Sequence, residues 1–354
     1  MIWPLVETLA IIEPHLPLHL ISVEAFSRVK ELAGRLPESM SSYYLECRLA
    51  AHTPQVDFLS CVTASDAGRE SLLQGHGMKA DLLEVFSGHP VWSRIRDFCS
   101  HWAVPSSSLY EQVPHLWLEF DLDAPLPLVP LPCLLFCLDP AYFKRRAPGQ
   151  LGNCLSAQQY QQVMNTVLPI LLERPVSSST RKQLFACFDF LPAGGQLIHA
   201  SVMLSRQPPT FKLNIAVPKN RLLDYLQQIG WTGSLSELDA ILSTFCPSAS
   251  SLKFQLTIGN VMAPKIDFEF HFDSASREDH RLQVLLDQAV INGLCTPEKR
   301  EALLTWPGSF RKMFCHHSWP TRLYKWVDIK IVYHFGRSLE AKGYLGFMPG
   351  SSIF

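Results

Sequence analysis

Apolar and polar residues alternate with a period of two in short runs along this chain, and the runs come in pairs. "YYLECRLA" is followed by "VDFLSCV", "LWLEFDL" by "PCLLFCL", "IHASVMLSR" by "FKLNIAV", and "LKFQLTI" by "KIDFEFHF". The last pair lies within "VDIKIVYHFGRSLEAKGYLGF", around Gly336 and Arg337. A period of two bounded by turn residues is the signature of a strand, so the pattern predicts five hairpins, near 43–62, 116–138, 198–217, 252–272 and 327–347.

Between the hairpins the period changes to 3.6. "DAGRESLLQGHGMKADLLEVF" and "VWSRIRDFCSHWA" follow the first hairpin, and "SAQQYQQVMNTVLPILLE" follows the second. "NRLLDYLQQIG" and "SLSELDAILSTF" follow the third; "REDHRLQVLLDQAVINGL" and "TPEKREALLTW" follow the fourth. A helix at about 22–36 precedes the first. Ser156 with Gln159, and Ser234 with Glu237, have capping-box spacing, while Thr296 before Pro297 reads as an N-cap. The repeating unit is αββα, five times over.

Because side chains alternate across a strand, each run has two faces. Leu252, Phe254, Leu256, Ile258, Ile266, Phe268, Phe270, Phe272, Ile329 and Ile331 form an apolar set for helices to cover. The opposite set is chemically rich. It holds Tyr44, Glu46 and Arg48; Trp117, Glu119 and Asp121; Lys212 and Asn214; Lys253 and Gln255; Lys265, Asp267, Glu269 and His271; Asp328, Lys330 and His334; and Lys342 and Tyr344. "PCLLFCL" departs from this, being apolar on both faces.

Two α+β architectures satisfy such faces. One is an open antiparallel sheet with helices on one side and water on the other. The other is a closed ten-stranded antiparallel β-barrel of five αββα repeats, ringed by helices, with the rich face lining a lumen. Wide open sheets curl or split and closure removes their edges. Trp117, Tyr44, Met203 and Tyr344 on the polar side also fit an enclosed lining, so the barrel is the expectation, as one domain over 1–354.

Composition narrows the function classes. With 354 residues and 47% hydrophobic content the chain can bury a substantial core. The 31 basic and 32 acidic residues leave a net charge of −1, which gives no global field for nucleic acid or an anionic membrane. The apolar N-terminal stretch lacks a basic n-region and is interrupted by Glu7 and Glu13, and "PLPLVPLPCLLFCL" is too short to span a bilayer. Ten scattered cysteines without a CxxC pair suggest reduced thiols, hence a cytoplasmic location. Cys315, His316 and His317 are adjacent, a spacing that does not converge on one ion, and no metal site is expected there.

The barrel of αββα repeats resembles the ABBA-type (PT-barrel) aromatic prenyltransferases, by architecture across about 20–350 rather than by motif. Like that family, the sequence has no DDxxD element. Lys212-x-Asn214, Lys253-x-Gln255, Lys330 and Lys342-x-Tyr344 resemble its inward cationic strand positions. The resemblance implies an allylic prenyl diphosphate held by Arg48, Lys212, Asn214, Lys253, Gln255, Lys330, Lys342 and Tyr344. Tyr44, Trp117 and Tyr344 would form an aromatic wall around the allylic cation, and Glu46 or Glu119 would take the proton after attack by an aromatic or peptide acceptor. No cofactor is required in this reading; Asp121 and Asp123 are the pair that could hold Mg2+ with the diphosphate. Two other classes fit the same faces. One is a barrel that binds a lipid, an aromatic metabolite or a peptide without turnover, and the other is an α+β interaction protein with an exposed polar sheet.

Overall fold

The computed structural model describes residues 3–38, 40–50, 55–66, 68–75, 78–122, 125–139, 155–206, 210–247, 249–272, 279–315 and 317–350. Helices α1 (Leu5–Ile12) and α2 (Val23–Ala33) lead into strands β1 (Ser42–Arg48) and β2 (Val56–Thr63). Helices α3 (Gly68–Gln74), α4 (Ala80–Gly88), α5 (Pro90–Ala103) and α6 (Ser108–Gln112) precede β3 (His115–Phe120) and β4 (Cys133–Cys137). Then come α7 (Ala157–Leu171) and α8 (Ser178–Asp189), β5 (Gln196–Val202) and β6 (Phe211–Pro218), α9 (Leu222–Gln228) and α10 (Leu235–Phe245). The chain continues with β7 (Ser251–Ile258), β8 (Met262–Phe272), α11 (His280–Ile291), α12 (Pro297–Thr305), β9 (Gly308–Lys312), β10 (Thr321–His334) and β11 (Glu340–Gly350).

The sheet runs β11-β1-β2-β3-β4-β5-β6-β7-β8-β10-β9 with every pair antiparallel, and β11 also pairs with β10. That last ladder closes a ten-stranded barrel. The expected closure and all five hairpins are observed. The eleventh strand, β9, was not expected: β10 is 14 residues long, and its first half pairs with β9 from Thr321 to Lys325 while its second half pairs with β8 from Val327. "GSFRK" has no apolar alternation to betray it.

The apolar faces are outside, under the helices. Phe98 of α5 lies 5.9 Å, ring to ring, from Phe136 of β4, and Tyr225 of α9 lies 6.3 Å from Phe254 of β7. Phe254, Phe268, Ile329 and Ile331 are buried in that layer, each contributing about 1.5–3 kcal/mol relative to exposure. Gly343 of β11 is the close-approach point beneath α12, where a Cβ would lie 3.0 Å from Leu303 Cδ2 and 3.1 Å from Leu49 Cδ2.

Helix ends largely follow their local signals. Ser156 and Gln159 form both halves of a capping box, and Thr296 accepts from the Lys299 amide. Ser234 caps α10, but the Glu237 side chain instead accepts from the Tyr333 hydroxyl at 2.8 Å, because the barrel wall offers it a buried phenol donor. The segment expected as one helix over 66–86 is two, parted at Gly75, whose φ of +61° ends α3. Helices α1, α6 and α8 lie outside the helices expected from the sequence. Among the described residues no helix is long and apolar enough to cross a membrane.

Candidate functional site in the barrel lumen

Inward-facing residues meet in rows, because neighbouring strands present residues of the same ladder position at the same height. One row runs Lys253, Glu269, Lys330, Lys342 and Arg48 across β7, β8, β10, β11 and β1. The row beside it runs His271, Asp328, Tyr344, Glu46 and Asp57. A third contains Trp326, Gly346, Tyr44, Leu59 and Glu119.

Every lysine of the first row meets a carboxylate. Glu269 accepts from Lys253 at 2.9 Å and from Lys330 at 3.1 Å, and Lys342 donates to Glu46 at 2.5 Å. Lys265 pairs with Asp267 at 3.2 Å, and Lys212 lies 3.8 Å from Glu119. Asn214 donates to Glu269 at 3.0 and 3.1 Å while accepting from Gln255 at 2.7 Å, so Asn214 serves the same carboxylate and Gln255 orients Asn214.

The electrostatics follow from burial opposed by partners. Burial would raise the carboxyl of Glu269, but Lys253 and Lys330 overcome it and hold the group well below the usual carboxylate range. Glu46 behaves alike: burial pushes it up, and Lys342 and Lys330 pull it further down. Burial works against the ammonium of Lys342, yet Glu46 keeps it charged beyond its ordinary range, and Glu269 does the same for Lys330. The Tyr344 phenol is pushed well up by burial and by the negative charge of Glu46 and Glu119, which fixes it as a donor. Elsewhere on the inner face burial holds His115 neutral, down at about 3, and His199 well below its ordinary value.

Beside the charged rows stands an aromatic cluster. Tyr44 tilts on Trp117 at 5.2 Å and meets Trp326 and Tyr344 edge-on at 5.4 and 6.0 Å. The Tyr44 hydroxyl donates to Asp328 at 2.7 Å and accepts from Trp326 Nε1 at 2.7 Å; Asp328 also meets His271 Nδ1 at 2.6 Å. Gly346 makes room for this arrangement, since a Cβ there would lie 2.2 Å from the Trp326 ring. Lys330 Nζ stands 5.1 Å from the centre of Tyr344, so that ring joins the aromatic and charged groups. Leu135 of β4, in register with Trp117, and Leu59 of β2 are buried beside these rows outside the helix-side core, and β4 supplies the apolar stretch of lining expected from "PCLLFCL".

The expected site residues therefore gather in one lumen, with corrections. Glu46 and Glu119 lie on early strands and Lys212, Lys253, Lys330 and Lys342 on later ones, yet acids and lysines meet in space. Closure lays β11 on β1 and so brings Lys342 to Glu46, while Glu119 faces Lys212 across the lumen. Lys330 and Lys342 do not wait for an outside anion to relieve their repulsion; Glu269 and Glu46 relieve it. Glu269 is bound to Lys253 and Lys330 rather than to Lys265 or His271, because cross-strand register outranks nearness along the chain. Asp121 is half-exposed with Arg206 3.7 Å away, a cation standing where Mg2+ was considered, and Asp123 lies outside the described residues. Trp326 was missed. Its signal lies in the sequence, two residues before Asp328 on the same face, but just outside the hairpin expected over 327–347.

No family model matches the chain. No curated protein matches it. Among solved structures, it is similar to 5-dimethylallyltryptophan synthase from Streptomyces coelicolor, at 11% identity over 98% of this chain and 98% of that one, with a TM-score of 0.48. It is also similar to PriB in a binary complex with product diphosphate, at 12% identity over 97% of this chain and 96% of that one, with a TM-score of 0.49. Identities this low place no residue and no substrate.

Proposed function

We propose that this barrel transfers a prenyl group from an allylic diphosphate to an electron-rich aromatic acceptor, either a small molecule or a peptide side chain. The observation that carries the reading is the shared boundary at Tyr344: four aromatic rings on one side, and three lysines with two carboxylates on the other. Ionising an allylic diphosphate needs both. The C–O bond breaks with its electron pair going to the diphosphate, and Lys330, Lys342, Lys253 and the Tyr344 hydroxyl are donors placed to stabilise that growing charge. The allylic cation is left against π faces, which attract it without capturing it, beside the buried side chains of Glu46, Lys330 and Tyr344.

The acceptor carbon then bonds to the cation, and a proton leaves the resulting arenium ion. Glu46 is the base in this reading. Its lowered pKa is no obstacle, because an arenium ion is a strong acid and needs only a carboxylate that is ionised and in reach. Glu119, beside Lys212 and across from Leu59, is the second candidate. Arg48 and the lysines 212, 253, 265, 330 and 342 share the inner face with the carboxylates of Glu46, Asp57, Glu119, Asp267, Glu269 and Asp328, so no cationic surplus stands ready there. A diphosphate would therefore enter by taking lysines from Glu46 and Glu269.

That same pairing is what favours a second reading, a barrel that holds an uncharged aromatic or lipid ligand without turnover. One experiment separates the two. The protein is incubated with dimethylallyl, geranyl and farnesyl diphosphates and a panel of indoles, phenols and peptides, with and without Mg2+, and read by mass spectrometry. Prenyl transfer gives an acceptor heavier by the prenyl group less the one hydrogen it replaces, together with released diphosphate. Tight acceptor binding with no mass change for any donor overturns the transferase reading in favour of the binding one.

A further inference from the structure

The inner face carries a second concentration of reactive side chains that the proposed transfer does not use. His115 opens β3, Cys137 closes β4 and His199 lies within β5. Cys137 pairs directly with His199 across one ladder, and Leu116 with Phe136 across the other, so the three residues share one height on adjacent strands. All three are buried. Nε2 of His115 stands 3.0 Å from Nε2 of His199, and the ligand atoms of the trio all lie within 4.8 Å of one another.

We propose that His115, Cys137 and His199 bind a Zn2+ ion, with a fourth coordination position left on the lumen side. Two imidazoles and a thiolate suit a borderline-soft ion and not Mg2+ or Ca2+, which take oxygen ligands. In a tetrahedral zinc set with bonds of about 2.0–2.3 Å, neighbouring donors stand roughly 3.3–3.8 Å apart, so side-chain movements of about 1 Å complete the set. The 3.0 Å between the facing Nε2 atoms is the spacing of a hydrogen bond with one hydrogen between them. On binding, both rings become Nδ1–H tautomers, the Cys137 thiol releases its proton to solvent, and the ion takes the place of the shared hydrogen. The centre then carries one net positive charge.

Such an ion would tie β3, β4 and β5 together at one level, as a cross-link supplied by the inner face. The proposal is independent of prenyl transfer, because its readout is a spectrum and a stoichiometry. Untagged protein carrying Cys315→Ser, which removes the exposed thiol beside His317, is stripped with chelator and titrated with Co2+. One equivalent should give the intense d–d bands of a four-coordinate ion and a near-ultraviolet thiolate-to-cobalt band. Zn2+ should displace it and raise the melting temperature. Cys137→Ser should abolish the near-ultraviolet band, and His115→Asn and His199→Asn should each weaken affinity by at least about tenfold. Absence of both band sets in the parent protein, which does not depend on any variant folding, overturns the site. A near-ultraviolet band that survives Cys137→Ser overturns it too.

Discussion

Lys330 of β10 and Lys342 of β11 stand directly opposite each other in the ladder that closes the barrel, and each turns to a different carboxylate, Lys330 to Glu269 and Lys342 to Glu46. Like charges at opposed positions are destabilising. The acids supplied by β8 and β1 are therefore part of what allows closure at this height.

Glu269 is the more exposed to loss, since one carboxylate serves Lys253, Lys330 and Asn214. Glu269→Gln should lower unfolding stability by about 3 kcal/mol, the lower end for breaking a buried pair because Lys253 remains partly solvated. Urea denaturation measures this, and a loss under about 1 kcal/mol would mean that the lysines find water easily.

Glu46→Gln should separate binding from turnover. It removes the proposed base and frees Lys342, so pyrophosphate binding measured by calorimetry should be retained or tightened while product formation is lost. Lys342→Ala should weaken pyrophosphate binding on the order of tenfold, as expected for one charge-assisted bond. If Glu46→Gln instead loses binding and turnover together, the residue holds the barrel and not the proton.

Stability should fall at both ends of the pH scale. The carboxyls of Glu46 and Glu269 are lower in the folded protein than in the unfolded chain, so their contribution is complete above about pH 4.3 and is lost as pH falls through the folded values. The ammonium groups of Lys330 and Lys342 are shifted upward, so theirs is complete below about pH 10.4 and is lost as pH rises through the folded values. Denaturation midpoints across pH should show Glu269→Gln flattening the acid limb. An unchanged acid limb would assign that loss to other groups.

Gly346→Ala should act through Trp326. A Cβ would lie 2.2 Å from the Trp326 ring, so the indole must swing and give up its hydrogen bond to Tyr44. We expect a loss of about 1–3 kcal/mol, typical of overpacking, and a shift in tryptophan emission that the same change in Trp326→Phe protein would not show.

Much of this was legible in the chain because the strands are two-faced. The alternation in "LKFQLTI", "KIDFEFHF" and "VDIKIVYHF" separates Phe254, Phe268 and Ile331 from Lys253, Glu269 and Lys330, and in the structure the first set lies under helices while the second faces the lumen. Trp326 escapes because the expected hairpin begins at 327 whereas β10 begins at Thr321, and β9 through the lack of any apolar period. Period-two patterning is a local property, and local sequence is enough to set it.

Which inward residues touch is not local. Lys342 meets Glu46 across 296 positions of sequence, and Tyr44 meets Trp326 across 282, because a closed sheet places its last strand on its first. The sequence by itself determined the five hairpins, their two faces and the kinds of side chain in the lumen. Only the tertiary structure decided the ladder register, and with it that the lysines are neutralised by the protein's own acids, that four rings meet at Tyr44, and that His115, Cys137 and His199 converge. The physical reason is that side-chain direction follows from backbone geometry one residue at a time. Contact between distant strands instead depends on the whole ring closing in one register, where a shift of a single residue would turn every inward group out.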